Sequence, residues 1–281
     1  MNIFNLLLTQ PLANGLALSY KLLGGNMGIA IIAFSLFLRV ILTPLTRPYM
    51  ESMKKMKAYS KDLEKLKTKH KGDKSKLMQA QADFYKQKGI NPGAGCLPML
   101  LQMIILIALF RVFTSVLVSN GDVIEKFNTL LYEPLKFSSS EIINTKFLYL
   151  DVTKPDVFRL SFVPFNLPGL IIIFASLVQL ISVKMTAPYI ETSKNVAKKT
   201  IDEKDDIQTA MQSSMTYTFP LLTLVFGMSF PSGLALYWLL FSLTQVIVQY
   251  RSSGWGGLTP WLNRLGLLKL SDTNAKEKTK S

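Results

Sequence analysis

Residues 28–45 read GIAIIAFSLFLRVILTPL, an apolar run broken by a single charge, Arg39. A run of this length and composition is what crosses a hydrocarbon core of about 30 Å as a helix. Working outward, residues 97–118 (LPMLLQMIILIALFRVFTSVLV) and 167–185 (LPGLIIIFASLVQLISVKM) are similar runs, and two more lie at about 215–230 and 231–250. The last two are separated only by Phe230-Pro231-Ser232-Gly233, which makes them a tight helical hairpin. With 49% hydrophobic residues and a mean hydropathy of +0.26, lipid is the expected solvent, and the chain reads as an all-α integral membrane protein.

The segments follow in order. Residues 1–22 lack a basic start, and Gln10, Pro11 and Asn14 interrupt their apolar run, so they read as an interfacial amphipathic helix, with an uncleaved signal anchor as the alternative. Transmembrane helices are expected at 23–46, 97–119, 167–187, 213–230 and 231–250. Residues 47–90 carry Met53, Met56, Tyr59, Leu63 and Leu66 in steps of three and four, then a break at His70-Lys71-Gly72-Asp73, then Leu77, Ala80 and Phe84. That pattern predicts a helical hairpin. Residues 120–166 form a loop with a short helix near 121–131, residues 188–212 a second loop, and residues 251–281 a basic tail that is disordered after Leu270.

Charge sets the orientation. The formal net charge is +14, and Lys54, Lys55, Lys57, Lys61, Lys65, Lys67 and Lys69 crowd the hairpin, whereas the 121–166 loop has slightly more acids than bases. The hairpin and the tail are therefore expected in the cytosol and the N-terminus outside. The same basicity predicts anionic partners: lipid headgroups, nucleic acid phosphates or acidic protein segments. One cysteine, Cys96, and one histidine, His70, exclude an intramolecular disulfide and a Cys/His metal site, and no cofactor is expected.

Arg39 is the residue most in need of explanation, because a charge within a span costs about 3 kcal/mol even on insertion scales. Ser35 and Thr43 lie one turn to either side of it. Trp238, Ser242, Gln245 and Gln249 stack one polar face on the last span, Ser176 and Gln179 mark the third, and Gln102 marks the second. No acid lies within the five spans to neutralise Arg39. The stripes point to a shared wet cavity of positive potential; the alternatives are an Arg39 that snorkels to cytosolic headgroups and Gln102 that merely bonds a neighbouring helix.

These residues also resemble a family. Gly25-Asn26-Met27-Gly28, Leu38-Arg39, Thr43-Pro44-Leu45-Thr46 and Ser52-Met53-Lys54-Lys55-Met56 are similar to the first core helix of the YidC/Oxa/Alb insertases. Asn91-Pro92-Gly93-Ala94-Gly95-Cys96-Leu97-Pro98 resembles the entry to the second, and Phe230-Pro231-Ser232-Gly233 with Tyr237-Trp238 the last. The resemblance implies five transmembrane helices around a hydrophilic groove, open to the cytosol and to lipid but closed outside, plus a cytosolic hairpin. It implies a non-enzymatic membrane protein insertase in the cell membrane, a short form without the large extracytoplasmic domain. The groove would be lined by Arg39, Ser35, Thr43, Gln102, Gln179, Trp238, Ser242 and Gln245, with Lys54, Lys55 and Lys57 on a substrate-receiving hairpin. Nascent membrane proteins, the ribosome and anionic lipids are the expected partners, the Sec translocon is a candidate neighbour, and DNA is not expected. No Walker sequence GxxxxGK[ST] is present, so no nucleotide is expected to drive insertion. A small-anion transporter would show inverted repeats, and a membrane enzyme a catalytic constellation within the spans; neither pattern is legible.

Overall fold

The computed structural model describes residues 3–70, 72–91, 97–117, 123–162, 164–186 and 207–267. Cys96 with residues 92–95, most of the 188–212 segment and the tail after Leu270 lie outside the described residues. The described part is mostly helical, and its strands are four two-residue pieces paired antiparallel in twos.

A π-helical turn (Asn5–Thr9) leads into α1 (Gln10–Leu22). Pro11 has no N–H to donate to the preceding turn, a physical reason for the ladder to widen there. One side of α1 (Leu12, Ala13, Leu16, Ala17, Tyr20) is buried against α2 and α5, while Leu6, Leu7, Leu18 and Leu22 stay exposed. Gly15 fits only because it has no Cβ, which would collide with the Phe34 ring.

Helix α2 (Met27–Ala58) does not end at residue 46 as expected. Its apolar portion is Met27–Thr46, and beyond that Glu51 to Lys57 are good helix formers that let it run on through Pro44 and Pro48. Helices α3 (Ser60–Lys69) and α4 (Lys74–Lys88) make a hairpin, closed by an edge-to-face contact between Tyr59 and Phe84 at 5.9 Å. Asp73 caps α4 by accepting from the Lys76 N–H at 3.0 Å, and that bond holds its carboxyl below the usual range.

Helix α5 (Leu97–Leu117) precedes the short α6 (Val123–Asn128), then come α7 (Leu170–Thr186), α8 (Ile207–Gly227), α9 (Ser232–Ser253) and α10 (Thr259–Arg264). Among the described residues two helices are long and apolar enough to cross a membrane by length and composition, Met27–Thr46 and Ser232–Ser252; Leu100–Thr114, Leu170–Met185 and Thr216–Gly227 are shorter apolar helices. Helix α9 packs along α7 and α2, and α7 along α8. Interior side chains include Ile31, Phe34, Leu109, Phe113 and Leu234.

One loop gathers three helix starts. The Met27 N–H donates to the Asn144 carbonyl (2.9 Å), the Ser232 N–H to Lys154 (2.7 Å) and the Gly233 N–H to Val152 (3.0 Å). Asp156, only 3% exposed, accepts from the Ile171 N–H at 2.9 Å and from the Tyr149 hydroxyl at 3.1 Å. Residues 144–156 thus supply the acceptors that first-turn N–H groups of α2, α7 and α9 lack, which places the N-termini of these three helices at one end of the bundle.

The expected tail is partly folded. After α9, Gly254 and Gly256 take positive φ (67° and 49°), and a Cβ on Gly256 would collide with the Met185 carbonyl oxygen. Trp255 packs on Tyr250, and the Lys184 ammonium lies 3.2 Å from the centre of the Trp261 ring. Trp255, Leu258 and Trp261 give residues 254–264 an apolar anchor that the basic residues around the segment had hidden.

Candidate functional site

Arg39 is positioned by the middle of α2, and its guanidinium points at α9. Nη2 donates to Gln245 Oε1 at 2.6 Å, and the group lies 5.3 Å from the centre of the Phe241 ring. Among the described residues Nε is buried with no hydrogen-bond partner, as is Nε2 of Gln102 on α5. The Gln102 carbonyl oxygen accepts from the Tyr237 hydroxyl at 3.3 Å. Positions 237, 241 and 245 recur every four residues, so one stripe of α9 meets both α2 and α5.

This stripe divides the one read from the sequence. Gln245 belongs to it, but Trp238 turns the other way, into a small apolar pocket with Ile172, Ala175, Thr223, Gly227 and Leu234 between α7, α8 and α9. Ser242 and Gln249 are buried, at 3% and 2% exposure. Gln179 accepts from the Thr223 hydroxyl and joins α7 to α8 instead of facing Arg39. Ser35 is buried too; its hydroxyl bonds the Ile31 carbonyl and the residue lines a second apolar pocket with Leu16, Phe34, Leu109, Phe113 and Tyr237. Thr43 turns back to the Arg39 carbonyl at 2.7 Å, close to the carbonyl that Pro44 cannot pair. The candidates therefore fall into an Arg39–Gln245–Gln102 group and a separate Gln179–Trp238 group.

Three residues escaped the sequence reading. Tyr237 and Phe241 were hidden by the choice of Trp238 as the start of the stripe; stepping back by fours from Gln245 finds both. Arg111 is a second arginine in an expected span, so Arg39 is not the lone one. Arg111 is exposed, 4.7 Å from the Phe4 ring centre, with Nη1 3.4 Å from Asn5 Oδ1. Arg39 also has a partner, though an uncharged one: the ion pairs among the described residues are four Lys–Asp or Lys–Glu contacts at i,i+3 on the surface.

The three lysines expected on the hairpin stand instead on the last turns of α2: Lys54 is exposed, Lys55 Nζ donates to the Gly89 carbonyl at 3.0 Å, and the Lys57 side chain lies outside the described residues. Lys55 thereby ties the end of α2 to the left-handed cap of α4. Lys88 sits 5.0 Å from the Tyr59 ring centre and closes the same corner.

A family model described as 60Kd inner membrane protein matches residues 18–253, a stretch that holds α2 through α9. The chain belongs to this family. Among its relatives, a "Membrane protein insertase YidC" of Fusobacterium nucleatum subsp. nucleatum is 33% identical over 226 residues, covering 80% of this chain and 85% of that protein. The protein of the same name from Syntrophobacter fumaroxidans is 30% identical over 243 residues, 85% of this chain and 35% of its own length. That of Caulobacter vibrioides is 43% identical over 106 residues, 38% of this chain and 17% of its own length. The chain thus spans most of the Fusobacterium member and a minor part of the two longer ones.

Proposed function

We propose that the chain is a membrane protein insertase that takes polar segments of nascent membrane proteins to Arg39 and releases their apolar helices sideways into lipid, without nucleotide hydrolysis. The observation that carries this reading is the Arg39 guanidinium, set in the apolar part of α2, with an uncharged partner and a buried Nε that no atom of the described residues satisfies. A cation in that setting keeps its positive potential for a guest, and a carboxylate of a passing segment or the water around it supplies the missing acceptor. Apolar parts of the guest then leave by transfer to lipid, at about 25 cal/mol per Å².

In this reading α2, α5, α7, α8 and α9 are the five transmembrane helices of a groove open to the cytosol, and α1 lies in the outer interface. The end that residues 144–156 close faces outside, as does the N-terminus, while the α3–α4 hairpin and the C-terminus are cytosolic. The Arg39–Gln245–Gln102 group is the polar part of the groove, and Trp238 and Gln179 line its α7–α8 side. Lys54, Lys55 and Lys57 receive substrate, and the basic hairpin and tail meet ribosomal RNA phosphates and anionic lipid, with the Sec translocon as a neighbour.

The test is insertion of two single-span substrates that differ only in the charge of the translocated tail, into vesicles holding the purified protein. Arg39→Ala is expected to impair the acidic tail most, Arg39→Lys to retain much of the wild-type rate, and Arg39→Glu to fall below Ala for the acidic tail. Equal losses for both tails, in all three folded variants, would replace this mechanism with the snorkelling one.

A further inference from the structure

The 157–168 hairpin stands out because its apolar residues face away from the protein. Strands Val157–Phe158 and Leu167–Pro168 pair antiparallel, and between and on them Phe158, Leu160, Phe162 and Phe165 are exposed, Phe162 at 83%. Across the hairpin Arg159 Nε donates to Asn166 Oδ1 at 2.8 Å.

The direction of the hairpin is fixed. The Gly169 N–H donates to the Asp156 carbonyl at 2.8 Å, and the Asp156 carboxylate holds the Ile171 N–H. A Cβ on Gly169 would collide with that carboxylate, so strand and helix are locked together at this point. Helix α7 then exposes Leu170, Phe174, Leu177 and Ile181 in steps of four, three and four, a single apolar stripe along its length. The hairpin meets the first turn of that stripe.

We propose that the hairpin is a lipid anchor, which seats Phe162 and Phe165 at the boundary between headgroups and acyl chains while Arg159 faces lipid phosphate. This rests on the reading of α7 as a membrane-spanning helix. Three observations select lipid as the occupant: the apolar surface is continuous with the exposed stripe of α7, it lies at the end of that helix where an interface must be, and it combines aromatic rings with an arginine. Phenylalanine and leucine side chains bury into the boundary between headgroups and acyl chains, and arginine extends from there to phosphate. A protein partner would be expected to cover a broader patch with a polar rim.

The experiment uses the full chain with Cys96→Ser in phosphatidylethanolamine/phosphatidylglycerol vesicles, nitroxide-labelled one site at a time at F162C, F165C, L177C or S139C. Collision of each label with oxygen, which concentrates in lipid, is compared with collision with a water-soluble nickel chelate. The expected oxygen-to-nickel ratio at 162 and 165 is several-fold above that at 139, an exposed site on the other part of the loop, and below that at 177. Water-like ratios at both 162 and 165 with a lipid-like ratio at 177 would overturn the anchor and leave the spanning helix intact. Water-like ratios at 177 as well would overturn the spanning reading from which the anchor starts. Crosslinking of F162C to another protein in native membranes, with water-like ratios in vesicles, would assign the hairpin to a protein partner instead.

Discussion

Gln245→Glu is the sharpest probe of the Arg39 cluster because it changes charge and almost nothing else. The new carboxylate would stand where Gln245 Oε1 now accepts from Arg39 Nη2 at 2.6 Å, so the pair forms without moving either helix. A guanidinium and a carboxylate about 4 Å apart attract by about 4 kcal/mol at an effective dielectric of about 20, and by about 1 kcal/mol in bulk water. The proposed half-wet groove lies between, at about 2 kcal/mol, which corresponds to about 30-fold in rate if Arg39 acts on the substrate in the rate-limiting step. Once paired with the introduced carboxylate, Arg39 has no net charge to offer a passing acid. The expected result is an acidic-to-neutral insertion ratio about 30-fold below wild type, with thermal unfolding in detergent unchanged or raised. A wild-type ratio in the folded variant would refute the reasoning, because it would show that substrate does not sense the charge of Arg39.

Other expectations follow from the closing loop and the termini. Asp156→Ala strips acceptors from the start of α7 and from Tyr149, and should destabilise the protein in detergent by about 2–4 kcal/mol, with Asp156→Asn costing less because it keeps an acceptor; equal unfolding temperatures for Ala and wild type would count against the cap. Gly256→Ala combines a positive φ with a clash on the Met185 carbonyl, so limited proteolysis should cut near residue 254 faster than in wild type while the α2–α9 body stays resistant. His70→Ala with Cys96→Ser should leave insertion unchanged, since neither residue has a catalytic or metal-binding partner in the sequence reading; loss of insertion by a folded double variant would reveal missed chemistry.

The apolar runs were legible because membrane spans announce themselves by length and hydropathy, and Arg39 because its charge is out of place. Which face of a span a polar residue takes was harder. Trp238, Ser242 and Gln245 lie within two turns, and a helical wheel tolerates a stripe through either Trp238 or Tyr237; only the positions of α2 and α7 on opposite sides of α9 decide between them. Arg111 was passed over although it stands as far inside its apolar run as Arg39 does, and its contact with Phe4 depends on a helix packed more than a hundred residues away in sequence. The folded segment after Tyr250 was masked by its neighbours: Lys and Arg on either side suggested a solvated tail, while its two tryptophans and three glycines carried the opposite signal. The hairpin from Val157 was not legible either, since four two-residue strands lie below what alternation can reveal.

At α2 and α9 the loop at 144–156 joins through main-chain atoms: Asn144, Val152 and Lys154 offer their carbonyls to Met27, Gly233 and Ser232, whereas at α7 it uses the Asp156 carboxylate. Main-chain acceptors are common to every amino acid, so the partition they form is indifferent to most side-chain replacements along the loop and vulnerable chiefly to changes in its length or course. An energised bilayer makes that property valuable. In the proposed groove, open to one side only, this partition is the thin septum against ion and proton leakage, and it is built from the part of the polypeptide that mutation alters least.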